Sequence, residues 1–234
     1  MSEPAPPRRR PRVAGIVALV FAAGVLIAGL ASLSLDDPKV QPIRITGAGE
    51  VQQLFGGIRQ DGAKLGSPNA PVTIDLFNDL QCDNCSEYQL AVVPPLVEDF
   101  VRTDKASLTY RHFPMGQRER VVADFGAVAA AQQDREWQYV ELFFINQDEA
   151  KRTGVTQEFL DDVAGAVLEL DTDQWRRDFD SAAINTTLEA DSKLAIDLRL
   201  PAEPAIVVTG PVGTKQLDES PSLEEIEAAI SEVS

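Results

Sequence analysis

The chain has 234 residues, 44% of them hydrophobic and 25% charged, with a net charge of −16. Glu3 set against Arg8, Arg9, Arg10 and Arg12 leaves the first twelve residues at +3, so the remainder carries −19; an acidic body of that size repels phosphate backbones, and nucleic acid is not an expected partner. Two cysteines and one histidine cannot build a disulfide-stapled scaffold, nor fill the four Cys/His positions that a structural zinc site normally uses.

Residues 1–12 form a basic segment. Residues 13–35 carry no charge and consist of Val, Ala, Leu, Ile, Gly, Phe and Ser. As a helix this run would be about 34 Å long at ~1.5 Å per residue, enough to cross a hydrocarbon core of ~30 Å. Four arginines precede it and Asp36 and Asp37 follow, so the positive-inside rule places the N-terminus in the cytoplasm and the rest outside. The alternative is a cleaved signal peptide with Gly29-Leu30-Ala31 as its processing site, although the apolar run exceeds a usual signal core. Either reading delivers the acidic body to a compartment that permits disulfides.

Residues 36–55 read as a tether, and residues 58–65 as a short strand or hairpin. The stretch Gly66-Ser67-Pro68-Asn69-Ala70-Pro71 is a loop by composition. Residues 72–77 alternate apolar and polar as a strand does. Four loop residues lead to Cys82. From Cys85 the pattern becomes helical through Tyr88, Val92, Leu96 and Phe100, with Pro94-Pro95 expected to kink or split the helix. Residues 108–113 read as the next strand. Residues 115–203 are helical in character, with Trp137 and Trp175 on apolar faces and Thr156 as an N-cap. Residues 205–209 form a short buried strand, 214–217 an edge strand, and Ser222 caps a last helix with Leu223, Ile226 and Ile230 inward. A strand, helix, strand unit of this kind needs a crossover between parallel strands. The expected architecture is an α/β sandwich at 56–114 and 204–234, with a helical subdomain inserted at 115–203.

The chemistry lies in Cys82-Asp83-Asn84-Cys85. At a strand-to-helix junction the first cysteine meets unpaired N–H groups and the positive end of the helix dipole, which stabilise a thiolate. That thiolate attacks a disulfide, and Cys85, one turn along, resolves the mixed disulfide. Two duller readings compete: a structural disulfide, which closes too short a loop to stabilise much, and a metal pair, which lacks further ligands. No metal or other cofactor is expected. Pro204 opens the buried strand, either as an ordinary strand-initial proline or in a cis peptide with Glu203 that offers backbone to an extended substrate. His112, the lone histidine, reads as packing or hydrogen bonding within its strand.

Five segments together resemble the DsbA-like branch of the thioredoxin superfamily. They are Leu65-Gly66-Ser67-Pro68-Asn69-Ala70-Pro71-Val72-Thr73-Ile74, Asp79-Leu80-Gln81-Cys82-Asp83-Asn84-Cys85, Tyr110-Arg111-His112-Phe113-Pro114, Trp137-Gln138-Tyr139 with Leu142-Phe143, and Glu203-Pro204-Ala205-Ile206-Val207. Their order and spacing match over roughly residues 56–232. The resemblance implies a thioredoxin fold with an inserted helical domain and a cis bond at Glu203–Pro204. It also implies thiol–disulfide exchange with cysteine-containing exported proteins, reset by a redox partner in the membrane or outside it. Three positions depart from the family pattern. Asp83 stands where proline is usual, Asn84 where strong oxidases often carry histidine, and Glu203 where Thr or Val is common. Carboxylates at Asp83 and Glu203 are expected to raise the Cys82 pKa and weaken the couple as an oxidant. The competing class is an inert thioredoxin-like module that binds peptides or tethers a membrane partner.

Residues 13–35 are expected to remain attached as a single span. N-terminal sequencing of the protein recovered from membranes should return the unprocessed N-terminus, and a mature chain beginning near Ser32 would instead identify a cleaved signal.

Overall fold

The computed structural model describes residues 42–114, 121–217 and 219–234, with residues 43–234 forming one compact unit. The expected basic segment and membrane span, the first part of the tether, and residues 115–120 of the helical region lie outside the described residues. Among the described residues no helix is long and apolar enough to cross a membrane.

Six strands form one mixed sheet: β1 (Gln60–Asp61), β2 (Lys64–Leu65), β3 (Val72–Asn78), β4 (Ala106–His112), β5 (Ala205–Gly210) and β6 (Gly213–Leu217), in the spatial order β1-β2-β4-β3-β5-β6. Only β3 and β4 run parallel, pairing Val72 with Ala106 through Asn78 with His112. The other neighbours are antiparallel. A parallel pair cannot be closed by a hairpin, so the chain crosses over through helix α2 (Asp83–Leu96). The strand alternation is legible in burial. Ile74 and Leu76 of β3, Leu108 and Tyr110 of β4, and Ile206 and Val208 of β5 belong to the main core, while Phe77, Ala205 and Val207 join a smaller cluster with Ala195 and Leu200. Successive residues point to opposite faces, and so the sheet is covered on both.

Two features differ from the sequence expectation. The segment read as a tether contains helix α1 (Ala48–Phe55), whose Val51 and Phe55 are buried. Phe55 packs on Trp137 at 6.0 Å, and the Arg102 guanidinium closes the helix by donating to the carbonyls of Gln53, Leu54 and Gly56. Eight residues are too short a run to be stable as a helix alone; distant partners hold them. Nor do Pro94 and Pro95 split α2. The helix runs through both and passes directly into a π-helical turn, Val97–Val101. The prolines take N–H partners from the carbonyls of Leu90 and Ala91, two residues on the exposed face of the helix.

The insertion consists of α3 (Val122–Ala131), α4 (Glu136–Ile145), α5 (Gln147–Thr153), α6 (Gln157–Ala166), α7 (Thr172–Phe179) and α8 (Ala182–Leu198). Helix α9 (Leu223–Val233) ends the chain behind a capping box made by Ser222 and Glu225. Trp137 and Trp175 are fully buried, and their indole N–H groups donate to the carbonyls of Ala63 and Gly126. The last two residues of β4 bind the insertion to the sheet from opposite faces. Arg111 pairs with Asp75 at 2.8 Å and with Asp191 of α8 at 3.1 Å. His112, fully buried, lies 2.8 Å from Asp124 of α3 and 2.6 Å from Glu136 of α4. Burial opposes its protonation, but the two carboxylates outweigh it and lift its pKa to about 10. The histidine is therefore a structural imidazolium, as expected of a residue that hydrogen-bonds within the fold.

A second buried polar chain joins sheet, α2 and insertion. Asn78 donates to Gln89 at 3.1 Å, and Gln89 donates to Glu141 at 3.1 Å. Burial raises the Glu141 pKa to about 7, against a partial offset from Gln89. A carboxyl whose pKa is higher folded than unfolded holds its proton more tightly in the native state. Stability relative to a neutral residue therefore falls as pH rises from about 4.5 to about 7, by on the order of 3 kcal/mol. Glu141→Gln keeps the acceptor for Gln89, and its stability gain over wild type should widen across that window in urea unfolding. A difference that stays flat with pH would show that Glu141 is ionised at no cost.

Candidate active site

Strand β3 ends at Asn78, and the next four residues turn the chain into α2. Asp79 Oδ1 accepts the Gln81 N–H at 2.7 Å, and the Cys82 N–H donates to the Asp79 carbonyl at 3.1 Å. This Asx turn delivers Cys82 to the N-cap position in extended conformation, with φ −91° and ψ 126°. N-cap side chains usually supply oxygen; here the Cys82 Sγ accepts the Cys85 backbone N–H at 3.2 Å. Both cysteines are free thiols, Cys82 partly exposed and Cys85 buried. The Cys85 thiol also hydrogen-bonds to the Cys82 sulfur. That bond and the Cys85 N–H lower the Cys82 pKa against the opposing effects of burial, Glu203 and Asp79. Cys85 moves the other way, raised far above the ordinary thiol value first by its bond to Cys82 and then by burial. One turn of helix thus holds an acidic outer thiol and a reluctant inner one.

The net direction at Cys82 is downward. Glu203 does oppose ionisation, but two hydrogen bonds to sulfur outweigh it. The Asp83 carboxylate lies 2.9 Å from Lys151 of α5, and both side chains are substantially exposed; its charge is met by an ammonium and screened by water. The acidic neighbour that sequence reasoning missed is Asp79, fully buried and three residues before Cys82. Asn84 is exposed on the first turn of α2.

The peptide bond between Glu203 and Pro204 is cis. Antiparallel pairing sets Ala205 opposite Phe77, which places Pro204 at the sheet edge where β3 releases the Asp79–Cys82 loop. Glu203 is partly exposed there, and its charge bears on both cysteines. Residues remote in sequence thus meet at this edge. A further contact was not anticipated: the side chain of Gln147, the first residue of α5, donates to the Leu80 and Cys82 carbonyls, each at 3.0 Å. A small cleft of about 200 Å³ opens beside it, with Phe143, Ala150 and Val155 on its floor and Gln81, Asp83 and Lys151 among its lining.

A dithiol at the N-terminus of a crossover helix, set beside a cis-proline, defines a thioredoxin-type redox centre. Residues 59–232 match the thioredoxin family. The "probable disulfide bond formation protein D" of Bacillus anthracis is 26% identical over 160 residues, spanning 66% of this chain and 72% of that protein. Disulfide bond formation protein D of Bacillus subtilis is 23% identical over 150 residues, covering 63% of this chain and 68% of its own. Among solved structures, BdbD from Bacillus subtilis superposes with a TM-score of 0.64 at 21% identity, covering 74% of this chain and 92% of that one. DsbA from Chlamydia trachomatis gives 0.61 at 23% identity, covering 73% and 90%. The chain belongs to the thioredoxin family and is a DsbA-like thiol–disulfide oxidoreductase.

Removing the charge of Glu203 should make Cys82 more acidic still. Glu203→Gln is expected to lower its pKa in a thiolate absorbance titration, whereas Asp83→Asn should move it less, because Lys151 already meets that charge. The reverse ranking would mean that Asp83 faces the sulfur in solution.

Proposed function

We propose that this protein exchanges disulfides with cysteine-containing exported proteins on the extracytoplasmic side of a membrane, with Cys82 as attacking thiolate and Cys85 as resolving thiol. The observation that carries the reading is the Cys82 sulfur at the N-cap of α2, receiving hydrogen bonds from the backbone and thiol of Cys85. In the reducing direction the Cys82 thiolate attacks a client disulfide, forming a mixed disulfide and releasing one client thiolate. Cys85 then loses its proton and attacks the Cys82 sulfur, releasing the second client thiol. Two electrons pass to the client and Cys82–Cys85 becomes a disulfide. The oxidising direction is the same sequence reversed, and a partner dithiol or disulfide in the membrane or outside it resets the couple. Thiolate stabilisation favours the reduced protein, which makes its disulfide the better donor; this supports oxidation of clients over reduction.

Residues 13–35 serve in this reading as the membrane anchor and residues 36–234 as the exterior part. The backbone at Glu203 and Pro204 meets an extended client segment beside the dithiol. Asp83 and Asn84 form the exposed rim around the reacting sulfur.

Cys85→Ala should accumulate mixed disulfides with clients, visible on non-reducing gels, while Cys82→Ser should abolish insulin reduction by the isolated exterior part. Trapping by Cys82→Ala instead would reverse the two roles. An inert binding module would leave insulin untouched in wild type and variant alike.

A further inference from the structure

Gln147 stands 65 residues from Cys82 in sequence, in the helical insertion, yet its side chain is buried against the active-site loop. Its primary amide has two N–H donors, and the Nε2 atom is 3.0 Å from both the Leu80 and the Cys82 carbonyl. These carbonyls bracket Gln81, within and at the end of the Asp79–Cys82 turn that delivers Cys82 to the N-cap. The Cys82 carbonyl also accepts the Ser86 N–H, the first hydrogen bond of α2. Gln147 therefore grips the same peptide group that begins the helix whose N-terminus stabilises the thiolate.

The preceding residue anchors this grip. Asn146 is buried at the junction of α4 and α5; its amide nitrogen donates to the Leu142 and Thr46 carbonyls, and its oxygen accepts the Thr46 N–H at 2.9 Å. Ser86 of α2 donates to the Phe144 carbonyl at 3.2 Å. The α4–α5 junction is thus fixed to the chain entering the domain and to α2, and Gln147 projects from a rigid point. Fixing a side chain through its own packed surroundings is what holds a reacting group in its productive geometry.

We propose that Gln147 is a positioning residue for the dithiol: by clamping the Leu80 and Cys82 carbonyls it holds Cys82 as the N-cap, and the inserted domain thereby sets the acidity of the thiol through the backbone. This rests on the reading of Cys82 as the attacking thiolate. A shorter or apolar side chain leaves the turn free to rotate its last peptide, and the 3.2 Å contact between the Cys82 Sγ and the Cys85 N–H then lengthens.

The test is a thiolate absorbance titration of the reduced protein. Gln147→Leu keeps the volume and adds no charge but has no donor. It should raise the Cys82 pKa by about one unit, roughly a tenfold loss of thiolate at a fixed pH below the pKa. Gln147→Asn keeps the amide on a stem one methylene shorter and should fall between Gln147→Leu and wild type; it is read in the same way if Gln147→Leu does not fold. Leu160→Ala, in the core of α6, should lower the melting temperature without moving the titration. The proposal is overturned if the Gln147 variants titrate as wild type, or if Leu160→Ala moves the pKa as far as they do. If the wild-type protein fails to reduce insulin, the functional reading falls while this comparison of titrations still decides the positioning role.

Discussion

Because β3 and β4 run parallel, the chain between them must cross the sheet, and α2 is that crossover. The redox site depends on this constraint. A crossover helix begins at the carboxyl edge of the strand before it, so its unpaired N–H groups collect where β3 ends. The antiparallel return of β5 brings Pro204 to the same edge. Cys82 enters as the N-cap, and a position that most helices fill with an oxygen carries sulfur. The Cys85 N–H bond that caps the helix is also one of the two that stabilise the thiolate, so folding and reactivity share one contact.

The two thiols diverge because they occupy different environments one turn apart. Cys82 is partly exposed and receives hydrogen bonds; Cys85 is buried and donates one. Such a pair suits sequential chemistry, since the outer sulfur can ionise while the inner one stays protonated until the mixed disulfide removes its partner's charge. Glu203 and Asp79 oppose the effect without reversing it. The acidity of this centre is a balance in which two hydrogen bonds to the sulfur outweigh burial first and then the charges of Glu203 and Asp79.

The insertion is bound to the sheet through buried polar contacts as well as apolar ones. His112 between Asp124 and Glu136, and the Asn78–Gln89–Glu141 chain, tie β3, β4 and α2 to α3 and α4. Leaving one partner of such a buried charged group unpaired typically costs several kcal/mol, which fixes the register between the two parts more sharply than apolar packing does.

The sequence by itself determined the strands and helices with strong periodicity, the capping roles of Thr156 and Ser222, and the dithiol at a strand-to-helix junction. These are local properties, set by the alternation of side chains and by residues within one turn of each other. It read the α1 segment as a tether, whereas Phe55 packs on Trp137 and Arg102 closes a helix there, and of the two outcomes expected at Pro94-Pro95 the split does not occur, the helix running on into a π-helical turn; both are decided by contacts remote in sequence. At the site, Cys82 and Cys85 were readable from spacing, and the Glu203–Pro204 bond from resemblance. The charge balance was not. Asp83 was named for its adjacency, yet the fold pairs it with Lys151 and leaves Glu203 and Asp79 to act on the sulfur. Gln147 carries no local signal at all. Electrostatic and hydrogen-bonding partners are chosen by distance in space, and only the tertiary structure sets that distance.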